Sequence, residues 1–174
     1  MIRVVVSEFP QASELNSVLY DRVCENLQGN VVALHGHGAR RTEPNLHGQN
    51  IEEIDILISW IKKILPEISK NFATKDTEET IFGYNLHRFE IAECWGIHYN
   101  RSESVIEHCH FPYALSFVYY VRTPEGSAPI IIENEAHDIE EGQCIFFLAT
   151  QYHSVHPKNC DGRCAIVGNI LYRF

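Results

Sequence analysis

Three histidines have the types and spacing that could bind a metal ion. His108 and His110 flank Cys109 on a predicted strand, where side chains two residues apart point to the same face. His153 follows 43 residues after His110, at the end of the apolar stretch Ile145–Leu148. If the two strands are neighbours in a barrel, all three imidazoles reach one divalent metal. A lone strand histidine is more often a hydrogen-bonded, half-buried residue, but the third histidine favours a metal site.

Arg163 adds an anion-binding group beside this candidate metal site. It lies ten residues after His153 and begins the last predicted strand. The two-residue period of a strand places on one face Arg163, Ala165, Val167 and Asn169. An arginine that points into a barrel is costly unless it meets an anion, and a guanidinium holds a carboxylate with two hydrogen bonds. We therefore expect a carboxylate ligand that contacts both Arg163 and the metal; the alternative is a surface arginine at a strand start.

The chain changes character near residue 80, from helical patterns to strands. Apolar residues recur at helical spacing over residues 14–27 and 51–68, and Pro66 is expected to kink or end the second helix early. Residues 35–48 are dense in histidine and glycine, which favours a mobile surface loop, a candidate lid, over a metal or anion loop. After residue 80, turn signals separate seven predicted strands: Asn85–Trp95, Val105–His110, Leu115–Arg122, Pro129–Glu133, Gln143–Leu148, His153–His156 and Arg163–Tyr172.

This order of elements predicts a mainly β fold with N-terminal helices. The simplest arrangement is a two-layer antiparallel β core, a sandwich or a barrel, on which two or three helices pack as a buttress. The length of 174 residues fits a single domain, 1–174. Residues 1–80 would form the helical buttress and its loop, and residues 81–174 the β core.

Composition disfavours several classes of function. The formal net charge of −9 makes nucleic acid an unexpected partner, because phosphate contacts need a basic surface. No segment approaches the roughly 18 apolar residues of a membrane span, so no membrane partner is expected. The chain starts without the apolar stretch of a secretion signal, and none of its six cysteines forms a C-x-x-C pair. Together these features predict a cytoplasmic protein with reduced thiols.

The order of the candidate residues resembles a known family. An H-x-H pair, a distal histidine and an arginine ten residues later are similar to the pattern of the iron(II)/2-oxoglutarate-dependent oxygenases, most closely the small 2OG-Fe(II) oxygenases of bacteria and phages. Trp95 stands thirteen residues before His108, as in that family, and Ser116–Tyr120 corresponds to its Ser-Gly-x-x-Tyr strand. Gly142 precedes the apolar run into His153. The resemblance covers residues 85–174 and is weaker over the N-terminal half.

The resemblance implies a double-stranded β-helix, or jelly-roll, core over residues 81–174. It implies the following site residues: for iron(II), His108, His110 and His153; for 2-oxoglutarate, Arg163, with Tyr120 or Asn169 as helpers. The implied reaction decarboxylates 2-oxoglutarate to succinate and CO₂ and hydroxylates a C–H bond of a second substrate.

The chain departs from the family pattern at the metal. Most of the superfamily uses two histidines and one carboxylate, whereas His110 stands at the carboxylate position here and removes one negative charge. The nearby Glu107 would point to the opposite face of a regular strand. Phe117 replaces the expected glycine, and Ile97 replaces the expected asparagine.

Two alternative functions remain open. A cupin-type metalloprotein would use the same three histidines without 2-oxoglutarate, as a thiol dioxygenase, an isomerase or a small-ligand binder. It does not need Arg163, and the glutamate that it should carry shortly after its H-x-H pair is missing from residues 111–115. A non-catalytic jelly-roll interaction protein would leave the placement of these residues unexplained. The substrate, a small molecule or a protein side chain, is left open, and an edge strand on a small β core favours a homodimer.

Overall fold

The structure, a computed structural model, describes residues 3–27, 36–72 and 89–173. Within these ranges the helices are α1 (Ala12–Asn26), a short 3-10 helix (Leu46–Gly48) and α2 (Glu52–Lys70). The strands are β1 (Val4–Glu8), β2 (Gly36–His37), β3 (Arg40–Arg41), β4 (Phe89–Tyr99), β5 (Ser104–His108), β6 (Leu115–Arg122), β7 (Ile130–Ile132), β8 (Glu135–His137), β9 (Gln143–Leu148), β10 (His153–Val155) and β11 (Arg163–Tyr172).

The strands form two antiparallel sheets. The larger sheet has the order β1-β9-β6-β11-β4-β3, and the smaller one has the order β2-β5-β10-β7-β8. An apolar layer between them draws Val105, Ile130 and Val155 from the smaller sheet and residues such as Val118 and Ala165 from the larger one. This arrangement confirms the predicted mainly β, jelly-roll core with N-terminal helices.

The two helices cover the outer face of the larger sheet. Successive residues of β6 therefore belong to different layers: Tyr119 packs with the helices, whereas Val118 and Tyr120 face the layer between the sheets. The hydroxyl of Tyr119 donates a hydrogen bond to the side-chain oxygen of Asn16, which fixes α1 against the middle of the sheet. Both faces of β6 are buried, so the sheet positions the interior only while the helical layer stays in place.

Pro66 does not end the second helix early, which was one of the two outcomes predicted from the sequence. Helix α2 runs from Glu52 to Lys70 and contains Pro66 in its last turns. One side of this helix is buried, including Ile54, Ile61 and Leu65. Packing of that face outweighs the backbone hydrogen bond that the proline cannot make. Among the described residues, no helix has the length and apolarity needed to span a membrane.

Several strands depart from the predicted set. The segment predicted as a loop over residues 35–48 contributes β2 and β3, which pair with β5 and β4 at the sheet edges; residue 35 itself lies outside the described ranges. Strands of two residues are too short to show a period in sequence. The predicted strand Asn85–Trp95 is described from residue 89 onward and continues to Tyr99 as β4. The structure also adds β1, which pairs with β9.

The strand β8 was not predicted, because the turn that precedes it has an unusual sequence. It forms a hairpin with β7 through Glu133 and Asn134, whose φ angles are 48° and 68°. Two successive positive φ values are typical of a type I′ hairpin turn, which usually carries Asn-Gly or Asp-Gly. Glutamate at the first position hides this signal.

Gly96 sets the distance between α1 and the larger sheet. A Cβ added to this residue of β4 would lie 2.5 Å from Cγ1 of Val23. We expect Gly96→Ala to destabilise the protein by about 1–3 kcal/mol, because overpacking forces the helix or the strand to shift. Denaturant unfolding followed by circular dichroism measures this change. Gly48→Ala, with no atom within 4 Å of the added Cβ, is the matched control. Equal unfolding midpoints for the two variants would contradict the assignment.

Candidate metal centre

The structure brings the three predicted metal ligands together. His108 ends β5 and His153 begins β10, and the antiparallel pairing of these strands places the two residues directly opposite each other. The candidate donor atoms of His108, His110 and His153 all lie within 4.8 Å of one another. Ring centroids are separated by 4.9 Å (His108–His110), 4.3 Å (His108–His153) and 5.0 Å (His110–His153). The two segments that carry the histidines are thus neighbouring strands, as predicted.

The route by which His110 reaches this cluster differs from the prediction. The predicted strand ended at His110, whereas β5 ends at His108, so His110 lies in the following turn. Its backbone N–H donates a hydrogen bond to the carbonyl oxygen of Ala149, at 2.7 Å. Its ring packs edge-on against Trp95, with centroids 5.8 Å apart. A loop contact and an indole, and not strand alternation alone, therefore hold this imidazole.

Two of the imidazoles are oriented by backbone carbonyls. Nδ1 of His108 lies 2.9 Å from the carbonyl oxygen of Ile106, and Nδ1 of His153 lies 3.2 Å from that of Gln151. A carbonyl oxygen only accepts, so Nδ1 is the protonated nitrogen in both rings. In this tautomer Nε2 carries the lone pair, which is the form in which histidine binds a metal.

Within the described ranges, no acidic side chain joins this cluster. Glu107, the nearest carboxylate in sequence, is exposed, as expected from its position on the strand. His156, three residues after His153, is exposed as well and is not part of the three-histidine group. His98 is buried on the other side of β4, where Nε2 lies 3.1 Å from the hydroxyl of Tyr20. The candidate donor set among the described residues is therefore three imidazoles.

Arg163 is a buried cation with unsatisfied hydrogen-bond donors. Only 3% of its surface is exposed. Its guanidinium lies over the rings of Tyr99 and Tyr120, at 4.6 and 5.2 Å, and Nη2 donates to the hydroxyl of Tyr120 at 3.4 Å. Nε and Nη1 are buried without a hydrogen-bond partner, and no carboxylate of the described ranges forms an ion pair with this residue. Burial of such a group is costly until an anion satisfies it.

The two tyrosines beside Arg163 are held in the protonated form. Burial raises the pKa of Tyr120 to about 12, and it raises the pKa of Tyr99 as well, although Arg163 acts in the opposite direction on both. Each phenol therefore keeps its proton at neutral pH. The hydroxyl of Tyr120 can accept from Arg163 and donate to an anion bound beside it.

One cavity contains both the imidazoles and the guanidinium. It has a volume of about 260 Å³ and is lined by all three histidines, by Arg163 and by Tyr120. The predicted period of β11 is confirmed, because Ala165 and Val167 also face this space.

Asn169 is not among the residues that line the cavity. Its side-chain oxygen accepts a hydrogen bond from Oγ of Ser116, and its amide donates to Oε2 of Glu93, each at 2.9 Å. Glu93 does line the cavity. Asn169 therefore touches the site through this carboxylate.

Sequence reasoning missed two further cavity residues on β4 and one on β3. Glu93 and Tyr99 line the cavity together with Trp95 and with Ile97, which the comparison with the family pattern had already singled out. The two-residue period applied to Trp95 would have identified Glu93 and Tyr99. Arg41 also lines the cavity. It gave no comparable signal, because its two-residue strand contacts β4 more than fifty residues later in the chain.

Comparison with known proteins gives structural matches only. No protein-family model and no curated protein sequence matches the chain. A prolyl-4-hydroxylase from Pseudomonas putida superposes with a TM-score of 0.71 at 15% identity, over 99% of this chain and 94% of the other. An oxidoreductase of the 2OG-Fe(II) oxygenase family from Burkholderia pseudomallei gives 0.65 at 13%, over 98% and 88%. HygX from Streptomyces hygroscopicus, with nickel, 2-oxoglutarate and hygromycin B bound, gives 0.65 at 10%, over 99% and 84%.

At these identities the likeness establishes the fold. It extends over nearly the whole chain, including the N-terminal half, where the resemblance in sequence is weak. The chain has the fold of the 2OG-Fe(II) oxygenase family.

Proposed function

We propose that this protein is an iron(II)- and 2-oxoglutarate-dependent oxygenase that hydroxylates a substrate still to be identified. The observation that carries the proposal is the buried guanidinium of Arg163. It lacks an acidic partner among the described residues and shares one cavity with three convergent imidazoles. A buried, unpaired guanidinium is stabilised by an anionic ligand. With a metal ion in the same cavity, the best ligand is one that contacts both the guanidinium and the metal.

His108, His110 and His153 would hold the iron. Three neutral nitrogen donors suit iron(II), and three ligands leave coordination positions open for a co-substrate. Compared with two histidines and a carboxylate, this donor set carries one negative charge less. A dianionic co-substrate supplies negative charge at this point, so it balances a three-histidine site better than a neutral ligand would.

Arg163 would hold the carboxylate of 2-oxoglutarate that lies far from the metal. Its Nε and Nη1 are buried without a hydrogen-bond partner, and a guanidinium binds a carboxylate through two parallel hydrogen bonds. Tyr120 would donate a third hydrogen bond. Asn169 would act indirectly, because its amide donates a hydrogen bond to Glu93 and so orients this cavity residue. The matched structure of HygX, which contains nickel and 2-oxoglutarate, supports this co-substrate for the fold.

The protein's own contribution is to orient the ligands and to exclude water. When bound, iron(II) and 2-oxoglutarate would supply the oxidation together with dioxygen, of which one oxygen atom would enter succinate, formed with release of CO₂, and the other the hydroxylated substrate. Ile97, Val118 and Val167 add apolar side chains to the lining of the cavity that the histidines and Arg163 share. Apolar lining would reduce the access of water to the bound ligands and strengthen the hydrogen bonds made by Arg163 and Tyr120.

Removal of one imidazole is expected to abolish metal binding selectively. His153→Ala should weaken the binding of Mn²⁺, a redox-stable substitute for iron, by at least about a hundredfold. Loss of a residue that only hydrogen-bonds to a metal ligand already lowers metal affinity by roughly 10–100-fold. Anaerobic calorimetric titration measures the affinity. The exposed His156 provides the matched control, and His156→Ala should bind as the unmodified protein does. Full metal occupancy in His153→Ala would contradict the assignment of the site.

Arg163→Ala should separate co-substrate binding from metal binding. The variant is expected to keep its iron(II) affinity and to bind 2-oxoglutarate at least roughly thirtyfold more weakly, since a buried charge pair is lost. The visible band that appears when iron(II) and 2-oxoglutarate are both present under nitrogen is the measurement. Arg101→Ala, which removes an exposed arginine paired with Asp161, should leave the band unchanged.

The same titration tests the cupin-type alternative. A three-histidine protein that does not use 2-oxoglutarate would bind iron(II) without any response to 2-oxoglutarate, in the unmodified protein as well as in Arg163→Ala. That result would overturn the proposed function while leaving the metal site intact.

Tyr120→Phe should have a smaller effect than the arginine variant. It removes one hydroxyl and keeps the ring under the guanidinium, so 2-oxoglutarate affinity should fall about fivefold, the effect of one ordinary hydrogen bond. The concentration of 2-oxoglutarate that gives half of the visible band is the measurement. An unchanged value would show that Tyr120 does not contact the co-substrate.

A further inference from the structure

We propose that Arg41 binds a carboxylate of the primary substrate, which makes the substrate an organic acid or an acidic peptide group. The inference rests on the proposed function, in which Arg163 is reserved for 2-oxoglutarate. Arg41 would then be the residue that selects the second substrate of the same cavity.

Arg41 stands at the edge of the larger sheet, facing the metal centre. It lies on β3 opposite Ile97 of β4 and lines the same cavity as the three histidines. Its guanidinium carbon is 6.0 Å from the ring centroid of Trp95, and the Trp95 ring is 5.8 Å from that of His110. Trp95 therefore contacts both the guanidinium of Arg41 and the imidazole of His110. A group bound by Arg41 would lie in the cavity that the three candidate metal ligands also line.

The charge of Arg41 is unpaired within the described part of the chain. Its Nε is buried without a hydrogen-bond partner, and no carboxylate of the described residues forms an ion pair with it. The residue is half-buried, so a ligand can reach it from outside. Its only described electrostatic contact is with the face of Trp95. A partly desolvated guanidinium of this kind is completed by a carboxylate.

The anion at Arg41 is separate from the anion at Arg163. Arg163 lies over Tyr99, whereas Arg41 lies over Trp95, and these aromatic residues are four positions apart on one face of β4. At about 3.3 Å per residue their Cα atoms are roughly 13 Å apart. A small dicarboxylate that spans Arg163 and the metal therefore leaves Arg41 free for a different molecule.

The cavity as a whole favours an anion. Its described lining contains two guanidiniums, Arg41 and Arg163, and one carboxylate, Glu93, so one positive charge is in excess. Glu93 accepts a hydrogen bond from the amide of Asn169, and it raises the pKa of Tyr113, next after burial, as a neighbouring carboxylate does. Glu93 thus has neutral partners and does not neutralise Arg41. A concave positive site in a chain of net charge −9 concentrates anions locally.

Binding of matched acids and amides tests this assignment. Three probe pairs are used: N-acetylglutamate against N-acetylglutamine; a capped pentapeptide with central Glu against the same peptide with Gln; and the Gln pentapeptide with a free against an amidated C-terminus. Dissociation constants are measured by ligand-observed NMR. They are determined for the metal-free protein and for the protein saturated with Mn²⁺ and 2-oxoglutarate under nitrogen.

We expect the acid of at least one pair to bind about tenfold more tightly than its amide, the effect of one charge-assisted contact. Arg41→Gln should reduce this ratio to about one, and Arg41→Lys should retain part of it. The matched control is Arg40→Gln, because Arg40 lies next to Arg41 but acts on Cys24 and His98 outside the cavity. Preference in the first pair identifies a free small acid as the source of the carboxylate; preference in the second or third pair identifies a peptide.

The assignment is wrong if none of the three pairs shows a preference, or if Arg41→Gln keeps the preference of the unmodified protein. Failure of the proposed function gives a different result, because Mn²⁺ or 2-oxoglutarate then does not bind. The role of Arg41 is still decided by the metal-free protein, in which the acid should bind more tightly than the amide and Arg41→Gln should abolish that difference.

Discussion

The position of β11 between β4 and β6 is the constraint on which the site depends. This strand forms backbone hydrogen bonds on both sides, with Arg163 opposite Tyr99 of β4 and Ala165 opposite Tyr120 of β6. Cys164 and Ile166 point toward the helices, so the intervening residues point into the cavity. A shift of one residue would exchange these faces and bury the guanidinium among the helices. The pairing of one strand thus decides where the buried positive charge lies.

The electrostatics of the cavity follow from that placement. Two tyrosines with raised pKa values surround Arg163 and supply ring faces and hydroxyls, but no negative charge. The three imidazoles add no negative charge either. The described lining therefore carries more positive than negative charge before any ligand binds, although the protein as a whole is acidic. Such a site favours the binding of anions, although the negative net charge of the chain would suggest the opposite.

Much of this arrangement could be predicted from sequence, because it depends on the alternation of side chains along single strands. The alternation of β11 located Arg163, Ala165 and Val167, and the spacing of the histidines indicated two neighbouring segments. His110 was placed on a strand although it lies in a turn, since strand ends depend on long-range pairing. Arg41 could not be found, because its place in the cavity comes from the pairing of a two-residue strand with distant Ile97. Asn169 shares the face of Arg163, yet hydrogen bonds to Ser116 and Glu93 keep it out of the cavity lining.

The pairing of β1 with β9 also bears on how the chain reaches this structure. Val4–Glu8 completes the edge of the larger sheet by pairing with Gln143–Leu148. During synthesis, β1 therefore lacks this partner until β9 has left the ribosome. Contacts of such high sequence separation form late and slowly, because the entropy of closing a long loop opposes them. The larger sheet also contains β11, so it is completed only after translation has passed Tyr172, and until β9 emerges β1 is an unpaired segment that chaperones can bind.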